Sequence, residues 1–76
     1  MNEQENRKQL GKRIKVYRAE MDMNQGDLAA KIGMKQSQLS LVERGLLGLS
    51  VDQLRAIANA LGCTGAYLLG EEKKAA

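Results

Sequence analysis

The sequence predicts an all-α fold, a compact bundle of five short helices. Three observations support this class. Apolar residues recur at spacings of three and four along almost the whole chain, which is the period of an amphipathic helix. Small polar residues that cap helices precede these segments, and glycines follow several of them. The chain has no proline, no alternating apolar run and no hairpin dipeptide that would indicate a strand.

The predicted domain occupies residues 9–70, between a flexible arm at residues 1–8 and a charged, flexible tail at residues 71–76. Its first helix is expected to begin at about Asn6, inside the arm, and to end at about Glu20. The apolar face of this helix has spacings of four, three and four, and consists of Leu10, Ile14, Tyr17 and Met21.

The second helix is predicted at residues 25–32. Asn24 is suited to the N-cap, and Asp27 would lie in the positive first turn. Gly33 follows at once, where a left-handed C-cap would lie. The residues expected to face inward are Leu28, Ala29 and Ile32.

The third helix is predicted to begin at Lys35 or Gln36 and to end at Arg44, with Gly45 as its stop. Two apolar residues three positions apart share its inner face, Leu39 and Val42. Between them and around them lie amides and hydroxyls, so this helix has one apolar edge and one polar edge.

The fourth helix is predicted at residues 51–61, capped by Ser50 and stopped by Gly62. Thr64 can cap a last turn or two that ends at Leu69. The fourth helix is expected to place in the core Val51, Leu54, Ile57, Ala58 and Leu61. The last turns offer Tyr67 and Leu68 for packing.

The composition argues against an enzyme, a metal site and a membrane span. The chain has no histidine, which removes the commonest general base, and its single cysteine, Cys63, cannot form an internal disulfide. It contains no run of 18 or more apolar residues. We therefore expect no cofactor, no metal and no small-molecule ligand, a cytoplasmic location, and a buried Cys63 that packs as a small hydrophobe.

Basic residues are concentrated near the start of the chain. Residues 7–18 contain six basic side chains and no acid: Arg7, Lys8, Lys12, Arg13, Lys15 and Arg18. Such a stripe is either a solvated helix face or a surface that suits a polyanion, and the charge pattern alone leaves both readings open.

The connection between the second and third helices has the length of a helix-turn-helix turn, three to four residues including Gly33. The stretch NQGDLAAKIGMKQSQLSLVERG, residues 24–45, resembles the helix-turn-helix family of phage repressors, Cro proteins and related bacterial transcriptional regulators. The motif positions are met in register by Gln25, Leu28, Ala29, Gly33, Leu39, Glu43 and Gly45. The similarity runs from about Leu10 to Glu71, some four-fifths of the chain.

The resemblance implies a sequence-specific regulator of double-stranded DNA, a repressor, that places its third helix in the major groove. The residues expected to contact bases are Lys35, Gln36, Ser37, Ser40 and Leu41. Gln and Ser side chains can bond base edges there, whereas Lys35 could contact a guanine or a phosphate. Leu41 stands where relatives often carry a polar reading residue, so it either touches a thymine methyl or covers apolar surface beside the groove.

The resemblance also implies contacts to the DNA backbone, from Arg13, Asn24, Gln25 and Arg44. In relatives the residue matching Gln25 bonds a phosphate and braces the first Gln of the recognition helix, here Gln36. A further pair, Arg18 and Glu43, matches an ion pair that locks the third helix against the first. Four other cations can equally be phosphate contacts or ordinary solvated charges: Lys12, Lys15, Lys31 and Arg55.

Family members bind as pairs, so the resemblance implies a homodimer whose recognition helices lie about 34 Å apart on a near-palindromic site. The dimer surface is expected at Cys63, Ala66, Tyr67 and Leu47. Leu46 and Leu47 could instead pack under the fourth helix. The alternative function is a protein-interaction module, such as an antitoxin, whose main ligand is a partner protein.

Overall fold

Five α-helices make up the structure, a computed structural model that describes residues 2–72. They are α1 (Glu3–Glu20), α2 (Gln25–Ile32), α3 (Gln36–Glu43), α4 (Val51–Leu61) and α5 (Gly65–Leu68). The all-α prediction is confirmed, and the described range contains no strand. The predicted tail extends to residue 76, of which residues 73–76 lie outside the described part, as does Met1.

Local capping chemistry explains where most helices begin and end. The side chains of Asn24, Ser50 and Thr64 each accept a hydrogen bond from a backbone N–H one turn into their helices. Gly33 and Gly62 end α2 and α4 in the left-handed conformation, with φ values of 67° and 73°. These five residues were identified correctly from the sequence, because caps depend on neighbours only three or four positions away.

The start of α1 was predicted wrongly. The helix begins at Glu3 and not at Asn6, because Asn2 acts as its N-cap and accepts from the Glu5 N–H at 2.8 Å. Residues 3–8, assigned to an arm, are therefore helical. The end of the third helix also differs slightly from the prediction. The helix α3 ends at Glu43, and Arg44 is its C-cap.

The core lies where α1, α2, α3, α4 and α5 meet. Its buried members are Ile14, Leu28, Ala29, Leu39, Val42, Ile57, Ala58, Leu61 and Leu68. Leu10, Tyr17 and Leu54 pack against this core, as predicted. In contrast, the structure leaves Met21 48% exposed and Val51 64% exposed.

Both errors concern residues at helix ends. Met21 is the C-cap of α1, so the helical period no longer fixes the direction of its side chain. Val51 is the first residue of α4. A helical side chain leans towards the N-terminus of its helix, and no turn precedes Val51 against which its side chain could pack. Cys63 was expected to be buried and is only partly so, although it packs against the core.

The C-terminal end of α3 lies directly against the backbone of α1. A Cβ at Gly11 would be 2.3 Å from the Val42 carbonyl oxygen and 2.6 Å from that of Glu43. Only glycine permits this approach, because backbone atoms cannot move aside as a flexible side chain can. Gly11 therefore fixes how closely α3 is seated on α1.

Among the described residues, no helix is long and apolar enough to cross a membrane.

Candidate nucleic-acid interface

Only one edge of α3 packs against the rest of the domain. α2 ends at Ile32, residues 33–35 make the turn, and α3 begins at Gln36. Leu39 and Val42 are buried in the core, at 0% and 2% exposure, which anchors the inner edge of α3. Within residues 2–72, most of the opposite edge of the helix is exposed, so it is available to another molecule.

The outer edge of α3 carries the residues predicted to contact bases. Lys35, Gln36, Ser37 and Leu41 are exposed, and Ser40 is partly buried. They lie within two turns of one short helix, so the structure brings all five together at one surface. Leu41 is the one apolar member of this set, and it is 37% exposed.

Lys35 and Gln38 form the start of α3. The Lys35 backbone N–H donates to the Gln38 Oε1 at 3.3 Å, so the Gln38 side chain turns towards the backbone. Lys35 is the N-cap residue, but its ammonium cannot accept a hydrogen bond and gives no side-chain cap. Its charge is therefore free to project from the surface.

Arg18 and Glu43 form the predicted ion pair between α1 and α3. The Arg18 Nε donates to Glu43 Oε2 at 2.8 Å, and its Nη2 donates to Glu43 Oε1 at 3.0 Å. The Arg18 Nη1 also donates to the Met23 carbonyl at 2.8 Å, just before α2. One guanidinium thus joins α1, the entry to α2, and α3. The side chains are only 12% and 3% exposed, so water screens this pair weakly.

The chemistry of this pair keeps Arg18 charged. The side-chain hydrogen bond to Glu43 raises the pKa of the Arg18 guanidinium above its usual value, although burial acts in the opposite direction. The bidentate geometry matches the planar fork of a guanidinium to the two oxygens of a carboxylate. We conclude that the pair is a fixed structural contact between α1 and α3.

Gln25 has a different partner from the one expected. Its Nε2 donates to Glu43 Oε1 at 3.1 Å, and no hydrogen bond joins it to Gln36 within residues 2–72. The Gln36 Oε1 instead lies beside Gly26, 3.3 Å from where a Cβ of that residue would be. A carboxylate is a stronger acceptor than an amide, which favours the bond to Glu43. The expected brace between the two glutamines is not formed among residues 2–72.

A basic cavity of about 310 Å³ opens beside the ion pair. Its lining comes from α1, α2, α3 and the residue after α3, and comprises Lys15, Arg18, Gln25, Ser40, Glu43 and Arg44. The sequence alone left Lys15 open as either a phosphate contact or an ordinary solvated charge. The spacing of three between Lys15 and Arg18 was the available signal, because it places them on one helix face.

Arg13 lies elsewhere. Its guanidinium packs over Gly70, where a Cβ would be 2.7 Å from Arg13 Cζ, and it lines a separate cavity with Leu69 and Glu71. The structure does not bring Arg13 together with Gln25 and Arg44, the two predicted backbone-contacting residues that line the basic cavity.

The residues predicted for a dimer surface are covered to different degrees. Cys63, Ala66 and Tyr67 are partly buried in their own domain, and the Tyr67 ring meets the Tyr17 ring edge to face at 5.4 Å. Leu46 and Leu47 are 54% and 39% exposed, so they are not packed under α4. In the described part of the chain, no group of three or more metal-ligating side chains occurs.

Comparison with known proteins agrees with this geometry. A model of the helix-turn-helix family matches residues 14–68. The matched segment holds α2, α3, α4 and α5, and the C-terminal part of α1. The chain belongs to the helix-turn-helix family of DNA-binding transcriptional regulators.

Relatives of this kind come from phages and bacteria. An immunity repressor protein of Bacillus phage phi105 is 38% identical over 63 residues, which cover 83% of this chain and 44% of the relative. This chain thus spans less than half the length of that repressor. The clp gene regulator ClgR of Corynebacterium glutamicum is 30% identical, with a TM-score of 0.83 over 87% of this chain and 70% of that one. The P22 c2 repressor, solved in complex with a synthetic operator, is 28% identical, with a TM-score of 0.77 over 83% and 96%.

Proposed function

We propose that this chain is a sequence-specific transcriptional repressor that reads double-stranded DNA with α3 in the major groove. One observation carries the proposal: α3 is anchored by a buried apolar edge and presents an exposed edge of amide, hydroxyl and amine groups. The major groove admits an α-helix, and each base pair presents a distinct pattern of donors and acceptors there.

Each residue of the exposed edge has a role in this reading. Gln36 can bond an adenine edge through both amide atoms, and Ser37 and Ser40 can donate or accept. Lys35 contacts a guanine or an adjacent phosphate. Leu41 meets a thymine methyl, since an exposed apolar side chain in the groove has this apolar group available.

Contacts to the DNA backbone come from the start of α2 and the end of α3. Asn24 and Gln25 lie at the N-terminus of α2, where the helix dipole favours a phosphate. The Gln25 amide group has two N–H donors, and the bond to Glu43 occupies one of them. The second remains available for a phosphate oxygen. Arg44 is exposed at the end of α3 and supplies a charge.

The repressor acts as a homodimer in the cytoplasm. One domain makes few base contacts, and two copies on a near-palindromic operator double them. A surface formed by Cys63, Ala66, Tyr67 and Leu47 would join identical patches around a two-fold axis. The exposure of Leu46 and Leu47 favours contact with some protein surface, and a second copy is the occupant that a palindromic operator requires.

Selection of bound duplexes from random DNA tests the proposal. We expect an enriched near-palindromic motif with half-site centres about one helical turn apart. Gln36→Ala should then weaken binding by about 1–3 kcal/mol and relax preference at one position in each half-site. Gln9→Ala is the matched control, because Gln9 is an exposed glutamine that lines a different cavity on α1.

Three results would contradict the proposal. The absence of any enriched motif would argue against sequence-specific binding. Equal effects of Gln36→Ala and Gln9→Ala would argue against reading by α3. A stoichiometric protein partner, captured by a chain that enriches no DNA, would favour the interaction-module function instead.

A further inference from the structure

We infer that Lys15 is a DNA-positioning residue, which holds a backbone phosphate in the basic cavity beside the Arg18–Glu43 pair. The inference rests on the proposed function, since it names a contact within the same interface. It assigns to α1 a single phosphate contact, and it places that contact at Lys15 and not at Arg13.

The charge balance of the cavity supports an anionic occupant. Glu43 is the one acid in its lining, and Arg18 already neutralises that carboxylate through two hydrogen bonds. Lys15 and Arg44 are exposed, and neither makes an ion pair within the part of the chain that the structure describes. Two cations therefore face one cavity without a counter-charge, which attracts an anion more strongly than one isolated lysine does.

The neighbours of Lys15 identify that anion as DNA phosphate. Ser40 lies in the same cavity and also belongs to the exposed edge of α3. Gln25, at the first position of α2, also lines this cavity. An anion that lies among these residues is adjacent to any groove in which α3 is placed. Phosphate contacts fix the orientation of a protein on the duplex, so Lys15 would set how α3 enters the groove.

The geometry of α1 separates Lys15 from Arg13. Two residues apart on an α-helix are about 200° apart around its axis. Lys15 therefore points to α3 and the start of α2, as Gly11 and Arg18 do, whereas Arg13 points to the end of α5. A basic stripe that looks uniform in the sequence is thus divided between two faces.

The salt dependence of affinity tests the inference with the chain and its selected duplex. Each phosphate contact contributes about 0.9 to the slope of log affinity against log salt. Lys15→Gln should lower the slope by about that amount. Its loss of affinity between about 50 and about 200 mM salt should then be about 3.5-fold smaller than that of the parent. The preferred base sequence should not change, because the contact carries no sequence information.

Two matched variants make the result specific. Arg13→Gln removes the same charge from the same helix and should leave the slope unchanged. Lys15→Arg keeps the charge and should restore the parent slope. Circular dichroism melting of each variant checks that the fold is intact, and exposed Lys15 predicts an unchanged melting temperature.

Every other outcome overturns the inference. If Lys15→Gln keeps the parent slope, or if Arg13→Gln lowers it equally, Lys15 holds no particular phosphate. In both cases the parent still binds its selected duplex, so the proposed function stands. If the parent itself selects no DNA and shows a flat salt response, the proposed function fails, and the assignment of Lys15 fails with it.

Discussion

Arg18→Ala should damage the fold severely, because it leaves a carboxylate buried without its charge partner. Glu43 is 3% exposed and keeps only the hydrogen bond from Gln25 in this variant. Breaking a buried pair from one side costs about 3–5 kcal/mol. A 76-residue domain has a free energy of unfolding of about 4–11 kcal/mol, so this loss is a large fraction of the total. The melting temperature should fall by at least about 12 °C.

Urea denaturation of four chains measures the effect: the parent, Arg18→Ala, Glu43→Ala and a double variant with Arg18→Met and Glu43→Met. The double variant should recover most of the stability, because replacing both charges with apolar groups of similar volume is often close to neutral. Parent-like stability of Arg18→Ala would refute the reasoning. So would a double variant that is less stable than either single variant.

Three further predictions concern packing and titration. Gly11→Ala should lower the free energy of unfolding in urea by about 1–3 kcal/mol, because the new Cβ meets two backbone oxygens. Gly26→Ala places its Cβ against the ends of side-chain amides, so it should leave the free energy of unfolding unchanged or raise it by up to about 1 kcal/mol. Similar costs for the two variants would contradict this. Leu68→Ala should cost about 2–5 kcal/mol, against less than about 0.5 kcal/mol for the exposed Leu69→Ala, and equal costs would show that α5 is not docked. Burial raises the pKa of the Cys63 thiol. Iodoacetamide should therefore react more slowly with Cys63 in the folded chain than in the unfolded one at pH 8, and stability should fall as the pH rises above about 8.5, because the unfolded thiol loses its proton first. Equal alkylation rates would argue against this burial.

The helices could be predicted from the sequence where the determinants are local. Asn24, Ser50 and Thr64 cap backbone groups three residues away, so each helix start follows from a short stretch. The start of α1 was missed because Asn2 precedes a polar segment with no apolar period, although it is the same kind of cap. Val51 was misassigned because a helical period says nothing about which turn of the helix reaches the core.

The site was less predictable, since it depends on which helix faces meet. The resemblance identified Arg18 and Glu43, whose contact spans 25 positions in the sequence. Nothing local distinguishes Lys15 from Arg13, because both are cations in one basic stripe. Only the packing of α1 against α3 on one side and α5 on the other separates them. The hydrogen bond that Gln25 donates to Glu43, and not to Gln36, likewise depends on how α1, α2 and α3 pack together.

The length of α3 limits how much information one domain can extract from DNA. Its eight residues rise about 1.5 Å each, so the helix is about 12 Å long and spans about four base pairs at 3.4 Å per pair. A particular run of four base pairs occurs by chance about once in every 256 positions, and a bacterial chromosome offers about 10⁶ or more competing sites. One copy would thus find thousands of matches by chance. Two copies on paired half-sites require eight particular base pairs, a combination that occurs by chance about once in 65,000 positions. An eight-residue recognition helix alone therefore carries too little information to address a single promoter, and pairing would reduce the chance matches about 256-fold.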